Sequence, residues 1–286
     1  MTSTNVVFGD FGPFNSDFVS YIDGFNPVDG IPLERVRMAG TKIIPPLLAS
    51  LEEQGLRVVV GHDLHSTAQL YRSSGGRMKR LIQPNDPQYH PHATPADAVI
   101  IALMRGNTPQ GCVASRLIWC ERTLTDEMES GRFWVSHPES MWTDSDRCIV
   151  RAISARAIRA CHVVFSGSIY LAQGVTGGST LAAMLRLHHL WVLCHWRWSW
   201  LVGIIEGALV RRHVFDVYGA MGLEMGVWRT RPGEGGELYR YEMTTCEREA
   251  CMEQWLRPEM GQLSRPLGRP SLDLLPIEGR RVETDS

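Results

Sequence analysis

Apolar runs separated by polar turns recur through the middle of the chain and predict a set of β-strands. The predicted strands are Arg57–Val60, Ala98–Met104, Cys112–Trp119, His162–Leu171 and Trp200–Ile205, with a last hairpin over Val227–Met243. Residues 106–111 contain Gly106, Asn107 and Pro109, which are residue types of tight turns. The two strands on either side of them are therefore expected to form a hairpin.

Helical spacing of apolar residues marks several of the segments between these strands. The predicted helices are Pro45–Gln54, Cys148–Ala160, Thr180–Trp196 and Leu209–Met221. Pro45 stands in the first turn of its helix, where a missing amide hydrogen is tolerated, and Gly55 is placed to end that helix. The helix over Thr180–Trp196 is apolar almost all round, which indicates that it is buried.

The two ends of the chain differ in composition from the middle. Residues 1–95 are rich in turn-forming residues, and the four prolines within 83–95 predict a linker. Beyond Pro258 the chain is rich in proline, glycine, arginine and serine, which predicts a loose tail. We therefore expect an N-terminal extension over 1–95, a core over 96–257 and a tail over 258–286.

Composition and charge narrow the function classes. The chain has 286 residues, of which 44% are hydrophobic and 21% charged, as in a globular protein. The formal net charge is -2, so no basic surplus is present to neutralise phosphates, and a general nucleic-acid partner is not expected. Lys42 and Lys79 are the only lysines among the 29 basic residues.

The chain is expected to be a cytoplasmic protein without a membrane partner. Residues 1–20 lack the basic start of a secretory signal. The most apolar stretch, Leu181–Ile205, contains Arg186 and Arg197, which are costly at bilayer depth. Seven cysteines without a repeated CxxC favour reduced thiols and no metal site, and the spaced pairs His62–His65 and His90–His92 are better explained as loop histidines.

A glycine-rich turn over residues 173–179 separates a predicted strand from the buried helix. Free backbone N–H groups in such a turn, together with the start of a helix, form a cradle for phosphate or pyrophosphate. The turn lacks the lysine of a P-loop, the spacing of a dinucleotide-binding motif and the flanking glycines of a nucleophile elbow. A coenzyme A pyrophosphate loop is the interpretation that remains.

Three segments resemble the GNAT superfamily of acyl-CoA-dependent N-acyltransferases. Residues 173–178 (QGVTGG) are similar to that family's Q/R-x-x-G-x-G/A loop, with Thr176 in place of the first glycine. Residues 218–223 (YGAMGL) resemble its Y-x-x-x-G-F segment, with Leu223 in place of phenylalanine. The turn into residues 111–116 resembles the turn into the family's third strand, and the order of elements also agrees.

The resemblance implies a fold, a cosubstrate and site residues. It implies an α/β fold with a mixed, central splayed sheet flanked by helices, here with an N-terminal extension. It implies acetyl-CoA or another acyl-CoA as the cosubstrate, held beside the strand and by the loop. The implied binding residues are Ile169, Leu171, Gln173, Gly174, Val175, Thr176, Gly177, Gly178 and Ser179. Tyr218 is then the general acid for the departing thiolate.

The base that removes the acceptor's proton is not marked by a motif. Glu206 follows a predicted strand at the expected position of the substrate, and a solvated strand-end glutamate is the equally weighted alternative. Tyr218 without the motif would be a packed tyrosine. His188, His189 and His195 lie among apolar residues and are expected to be core histidines rather than bases.

The expected activity is transfer of an acyl group, acetyl in the first instance, from coenzyme A to the amine of a small molecule or amino-acid derivative. Three alternatives stay open: a non-catalytic acyl-CoA-binding regulatory module, which Thr176 favours; an acyl-transfer synthase that takes its acyl group from a carrier protein; and an interaction protein with a Trp-rich surface. A homodimer is also left open.

Overall fold

The computed structural model describes residues 11–14, 32–73, 81–94, 96–143, 145–172, 174–175, 178–210, 222–230 and 237–256. The described strands are β1 (Gly12–Pro13), β2 (Arg57–Gly61), β3 (Ala98–Arg105), β4 (Thr108–Cys120), β5 (Cys148–Val150), β6 (Cys161–Leu171), β7 (Trp200–Glu206), β8 (Gly222–Thr230) and β9 (Leu238–Glu247). They form one sheet in the order β1-β2-β3-β4-β6-β7-β9-β8-β5.

The described helices lie between and after these strands. They are α1 (Leu33–Met38), α2 (Ile44–Glu52), α3 (Leu64–Ser73), α4 (Leu124–Glu129), α5 (Pro138–Met141), α6 (Ile153–Ala157), α7 (Gly178–His195), α8 (Gly207–Val210) and α9 (Arg248–Trp255). A π-helical turn, Ala39–Ile43, joins α1 to α2, and Gln83–Asn85 is a short 3₁₀ helix. None of the described helices combines the length and hydropathy of a membrane span.

Alternation along the strands separates two faces of the sheet. On one face, which we call the α7 face, Val164 and Leu201 pack with α2, α7 and α9 in one core cluster. On the opposite face, Phe165 and Val202 pack with α4 in a second cluster, while α3 covers the β3–β4 end of the sheet in a third. Helices thus flank both faces of a mixed sheet, and the expected α/β fold class is confirmed.

Most of the predicted strands and helices are confirmed, with shifts of a few residues at their ends. The helix predicted over Cys148–Ala160 is wrong, because residues 148–150 form β5 and pair with β8, and only residues 153–157 are helical. The apolar spacing there arises because Cys148 and Val150 are the buried residues of β5 and Ala155 is the buried residue of the short helix. Of the helix predicted over Leu209–Met221, residues 211–221 lie outside the described part.

The prediction of a linker over residues 83–95 is also wrong in its first part, where the chain packs against the sheet. Gln83 and Asn85 are buried, and the Asn85 side-chain amide donates to the Ala114 carbonyl at 3.1 Å. Arg116 donates to the Pro84 carbonyl at 3.2 Å, so a strand side chain holds the segment against the sheet. Since β2 also pairs with β3, the sheet continues across residue 95, where we expected the N-terminal extension to end.

Candidate functional site

A gap in the sheet opens between β6 and β7, the one parallel pair among the described strands. The two strands pair only from Val163 to Phe165 and from Trp200 to Val202. Towards the C-terminal ends of the two strands, β6 continues to pair with β4, and β7 continues to pair with β9. The edges of residues 166–171 and 203–206 therefore face each other without a ladder between them, and we call this gap the wedge.

Gly203 lies at the base of the wedge, just above the last paired residue of β7. A Cβ atom at this position would lie 2.8 Å from the Thr244 hydroxyl and 3.1 Å from the Ser166 carbonyl oxygen. The first distance is shorter than real Cβ contacts allow, so a residue without a side chain lets β6, β7 and β9 approach closely here. The divergence of the two strands begins from this tight contact.

β6 carries a β-bulge along the wedge. Ala114 pairs with Gly167 and Cys112 pairs with Tyr170, so a step of two residues on β4 faces a step of three on β6. The extra length is taken up around Ser168, which has a φ of 52°. A left-handed φ is uncommon for a residue with a side chain, and a bulge of this kind bends the strand and turns its groups in a new direction.

The backbone of β6 above the bulge offers hydrogen-bond donors to the wedge. The Ala172 amide donates to the Gln110 carbonyl at 2.7 Å, on the β4 side. Because successive amides of a strand point to opposite edges, the amides of Leu171 and Ile169 lie on the wedge side. Both side chains are half-buried against the α7 core. Their amides have the alternation needed to bind an extended ligand in the manner of a strand.

The loop after β6 leads directly into the start of α7. The Val175 amide closes a turn onto the Ala172 carbonyl at 3.1 Å, and Gly174 has a φ of 92° with open space around its Cα. α7 begins at Gly178 and runs for 18 residues, so its first amides form a full helix N-terminus. Thr180 ties this first turn to the turn that follows α2 by donating to the Gln54 side-chain oxygen at 2.7 Å.

The structure gives a position for some of the residues expected in the site and not for others. Ile169, Leu171, Gly174, Val175, Gly178 and Ser179 lie along the wedge and at the start of α7, and Ser179 is exposed. Gln173, Thr176, Gly177 and Tyr218 lie outside the described residues. Glu206 is the exposed last residue of β7, opposite Tyr241 on β9, at the mouth of the wedge.

Two polar residues near the wedge were not among the predicted site residues, although for Ser168 the sequence left open either a contact with substrate or simple packing. Ser168, at the bulge, is 5% exposed, and nothing in the local pattern marks its left-handed conformation. Glu242 on β9 pairs with Ile205 and is buried; burial raises the pKa of its carboxyl, which Arg240 contacts at 3.2 Å. The only sequence signal for Glu242 is that a charged residue stands among the apolar residues of the predicted last hairpin.

Two of the three histidines of α7 are core residues, as expected, and the third, His195, is half-buried. His188 and His189 are buried, and His189 stacks on Trp255 with ring centroids 4.1 Å apart. Burial lowers the pKa of His189 to about 3 and holds the pKa of His188 well below 6.5. Neither ring is exposed for general-base chemistry. His195 stacks on Trp191 with a centroid distance of 3.9 Å.

Buried neutral histidines should make the stability of the protein fall in acid. Burial, assisted by the charge of Arg116, also lowers the pKa of His90 to about 3. Between pH 6.5 and about 3 the unfolded chain takes up protons that these folded rings do not, so the free energy of unfolding falls as pH falls, by up to ~1.4 kcal/mol per pH unit for each histidine.

Urea unfolding between pH 7.5 and 4.5 measures this slope. The variant His189→Asn should lose about one histidine's share of it, and His92→Asn, at an exposed ring, should leave it unchanged. A stability that is independent of pH over this range would contradict the burial of neutral rings.

No protein-family model and no curated protein sequence matches the chain. The structure is similar to Arabidopsis thaliana NAA60 in complex with acetyl-CoA, with 9% identity over 66% of this chain and 98% of that one and a TM-score of 0.36. It is similar to RimL, the ribosomal L7/L12 α-N-protein acetyltransferase in complex with coenzyme A, with 9% identity, 68% and 95% coverage and a TM-score of 0.35.

A GCN5-related N-acetyltransferase from Brucella melitensis is a further similar structure, with 12% identity, 71% coverage of this chain, 83% coverage of that one and a TM-score of 0.31. Because these TM-scores lie below 0.5, no activity is transferred from them to this chain. The wedge, the bulge of β6 and the start of α7 are the features from which a function is inferred.

Proposed function

We propose that the protein is an acyl-CoA-dependent N-acyltransferase of the GNAT type. The observation that carries the proposal is the wedge: a parallel pair that stops after Phe165 and Val202, with β6 running on into a glycine-containing loop and the N-terminus of α7. A strand edge that leaves its parallel partner and ends at a helix start suits a ligand with an amide-bearing arm and a phosphate group. Acyl-CoA has both.

Coenzyme A fits this arrangement along its length. Its pyrophosphate would bind at the start of α7, where amide hydrogens and the helix dipole favour an anion without any lysine. From Leu171 down to Ser166, six residues of strand span about 20 Å at ~3.3 Å per residue. The pantetheine arm would lie along this edge, its amide groups would pair with the backbone of Leu171, and the thioester carbonyl would face the Ile169 amide beside the bulge.

The reaction is amide formation from a thioester. The acceptor's neutral amine adds to the thioester carbonyl, the C–S bond breaks as the C–N bond forms, and the coenzyme leaves as its thiolate. Backbone N–H groups of β6 beside the bulge would stabilise the developing oxyanion. Glu206 is the proposed acceptor of the amine proton, and Tyr218 is the proposed donor to the thiolate.

The acceptor is proposed to be a small amine or an amino-acid derivative, and acetyl is the proposed acyl group. Glu206 and Tyr241 stand side by side at the mouth of the wedge, on adjacent strands. The exposed carboxylate of Glu206 suits the approach of a cationic amine before it loses its proton.

Calorimetry with coenzyme A and with acetyl-CoA tests the proposal, followed by thiol release across a panel of amines. We expect both compounds to bind and at least one amine to accelerate thiol release. Failure to bind coenzyme A at millimolar concentration would contradict the acyl-CoA site. Binding without turnover for any amine would favour the regulatory module over the enzyme.

Tyr218→Phe should slow thiol release by at least about tenfold, since general-acid assistance contributes that much or more. Affinity for coenzyme A should stay within about twofold of the original value, because the change removes one hydroxyl and no binding surface. Steady-state kinetics and calorimetry separate the two effects. Tyr239→Phe removes a hydroxyl that contacts Glu237 in the last hairpin and serves as the matched control. An unchanged rate for Tyr218→Phe would remove this residue from the acid role.

A further inference from the structure

We propose that Ser168 is a positioning residue of the acyl-transfer site. Its hydroxyl accepts the amide hydrogen of Ile82, and this contact holds the bulge that turns the β6 amides into the wedge. The inference rests on the proposed function, because it assigns those amides to the thioester carbonyl.

The conformation of Ser168 requires support from its surroundings. Its φ of 52° lies in the left-handed region, where the side chain of an ordinary residue crowds the backbone and where glycine fits without penalty. Asparagine also tolerates this region. Serine has no such preference, so an unusual φ at a strand edge persists only where neighbouring groups determine it.

The contacts of Ser168 supply that support. Ser168 is 5% exposed, and its Oγ accepts from the Ile82 amide at 3.0 Å. Its carbonyl oxygen accepts from the Cys112 thiol at 4.0 Å, on the neighbouring strand. The Ile82 side chain also reaches β6, since a Cβ at Gly167 would lie 3.3 Å from it. The bulge is therefore held both by β4 and by the segment that contains Ile82.

The segment that holds the bulge is itself fixed to the sheet. Residues 81–85 are anchored by the Asn85 side chain on the Ala114 carbonyl at 3.1 Å and by Arg116 on the Pro84 carbonyl at 3.2 Å. The Arg116 guanidinium lies 3.6 Å from the Asp97 carboxylate, which orients it. The Ile82 amide thus comes from a rigid support rather than from a free loop.

The effect on the reaction passes through the backbone. Ile169 follows Ser168 directly, so the direction of its amide depends on the Ser168 dihedral angles. The Ser168 hydroxyl accepts from the Ile82 amide, and its proposed effect on the carbonyl passes through the direction of the neighbouring Ile169 amide. A donor that is turned away from the carbonyl lowers the turnover number and leaves the binding of the coenzyme arm largely unchanged.

Two changes remove the same hydrogen bond from opposite sides. Ser168→Gly removes the acceptor and allows the left-handed φ, while Ser168→Asn keeps an acceptor oxygen and tolerates that φ. Ile82→Pro removes the donor and leaves the sequence of β6 unchanged, and the Ile82 φ of -66° matches proline. Ile82→Val keeps the donor and is the matched control.

We expect Ser168→Gly and Ile82→Pro to lower kcat by about tenfold or more, as for an oxyanion donor that is displaced, with KM for acetyl-CoA within about twofold. Ser168→Asn should recover most of kcat, and Ile82→Val should retain it. Infrared spectra of bound acetyl-CoA, labelled with ¹³C at the carbonyl, give a readout that needs no acceptor. The stretch should move to lower wavenumber in the original protein and return towards the free value in Ser168→Gly.

An unchanged kcat and an unchanged carbonyl stretch in Ser168→Gly and Ile82→Pro would overturn the positioning role and leave the proposed function standing. An equal fall in kcat for Ser168→Asn and Ser168→Gly would also overturn it, because the acceptor oxygen would then be irrelevant. If the original protein binds no acetyl-CoA, the proposed function itself fails.

Discussion

Gly178→Glu is expected to abolish the binding of coenzyme A. Gly178 begins α7, and the added carboxylate would stand where the pyrophosphate is proposed to bind. Two like charges about 4 Å apart repel by about 4 kcal/mol at an effective dielectric constant near 20, which lowers affinity by more than about a hundredfold. Calorimetry with coenzyme A measures the loss, and circular dichroism verifies that the fold is retained.

Two further variants separate the causes of that loss. Gly178→Ala adds a methyl group without charge and should weaken binding far less than the glutamate does. Ser50→Glu adds the same charge at an exposed position of α2 and should leave the affinity unchanged. Retained affinity in Gly178→Glu would refute the assignment of the α7 start as the phosphate site.

Trp134→Ala is expected to lower the free energy of unfolding by about 3–5 kcal/mol, the range for removal of a large buried aromatic side chain. The Trp134 ring is fully buried, donates to the Met128 carbonyl at 2.9 Å and contacts the edges of Phe133 and Phe165. The Arg229 guanidinium lies 3.9 Å from the ring centroid and would lose this partner. Since burial already lowers the pKa of Arg229 to about 10, an apolar gap beside it is costly.

Urea unfolding followed by circular dichroism measures this change. Trp119→Ala is the matched control, because Trp119 is 53% exposed and its removal should cost less than about 1 kcal/mol. Equal effects of the two tryptophans would contradict the buried aromatic cluster. Phe165 belongs to this cluster and to the last paired step of β6 with β7, so the same loss should also loosen the base of the wedge.

The strands and the long helix followed from local pattern because their side chains repeat with the period of the element that they form. β3 and β4 are apolar runs around a turn, and α7 is apolar on nearly every side, so burial alone accounts for each. Local pattern failed at residues 148–150, where helical spacing was overridden by pairing with β8. It failed also at Gln83 and Asn85, polar residues that are buried because the sheet offers them partners.

The candidate site divides in the same way. Glycine and small residues over 173–179, between a strand and a helix, predicted a phosphate loop, and the scarcity of lysine left backbone amides, the helix start and arginines to provide the positive end. The wedge was not accessible to such reasoning, because the point at which β6 and β7 cease to pair depends on which edges β4 and β9 occupy. The sequence resemblance implied a splayed sheet but did not identify the residues at which the two strands separate.

By itself the sequence determined most of the buried strands and helices and the turns between them, and it predicted a phosphate cradle without a lysine, since these depend on residue type and near neighbours. Only the tertiary structure decided the register of the nine described strands, the left-handed Ser168 and its support by Ile82, whose amide contacts it across 86 positions of chain. Contacts between residues so far apart arise from packing and have no local signal. The part of the site that would direct the chemistry is of this second kind.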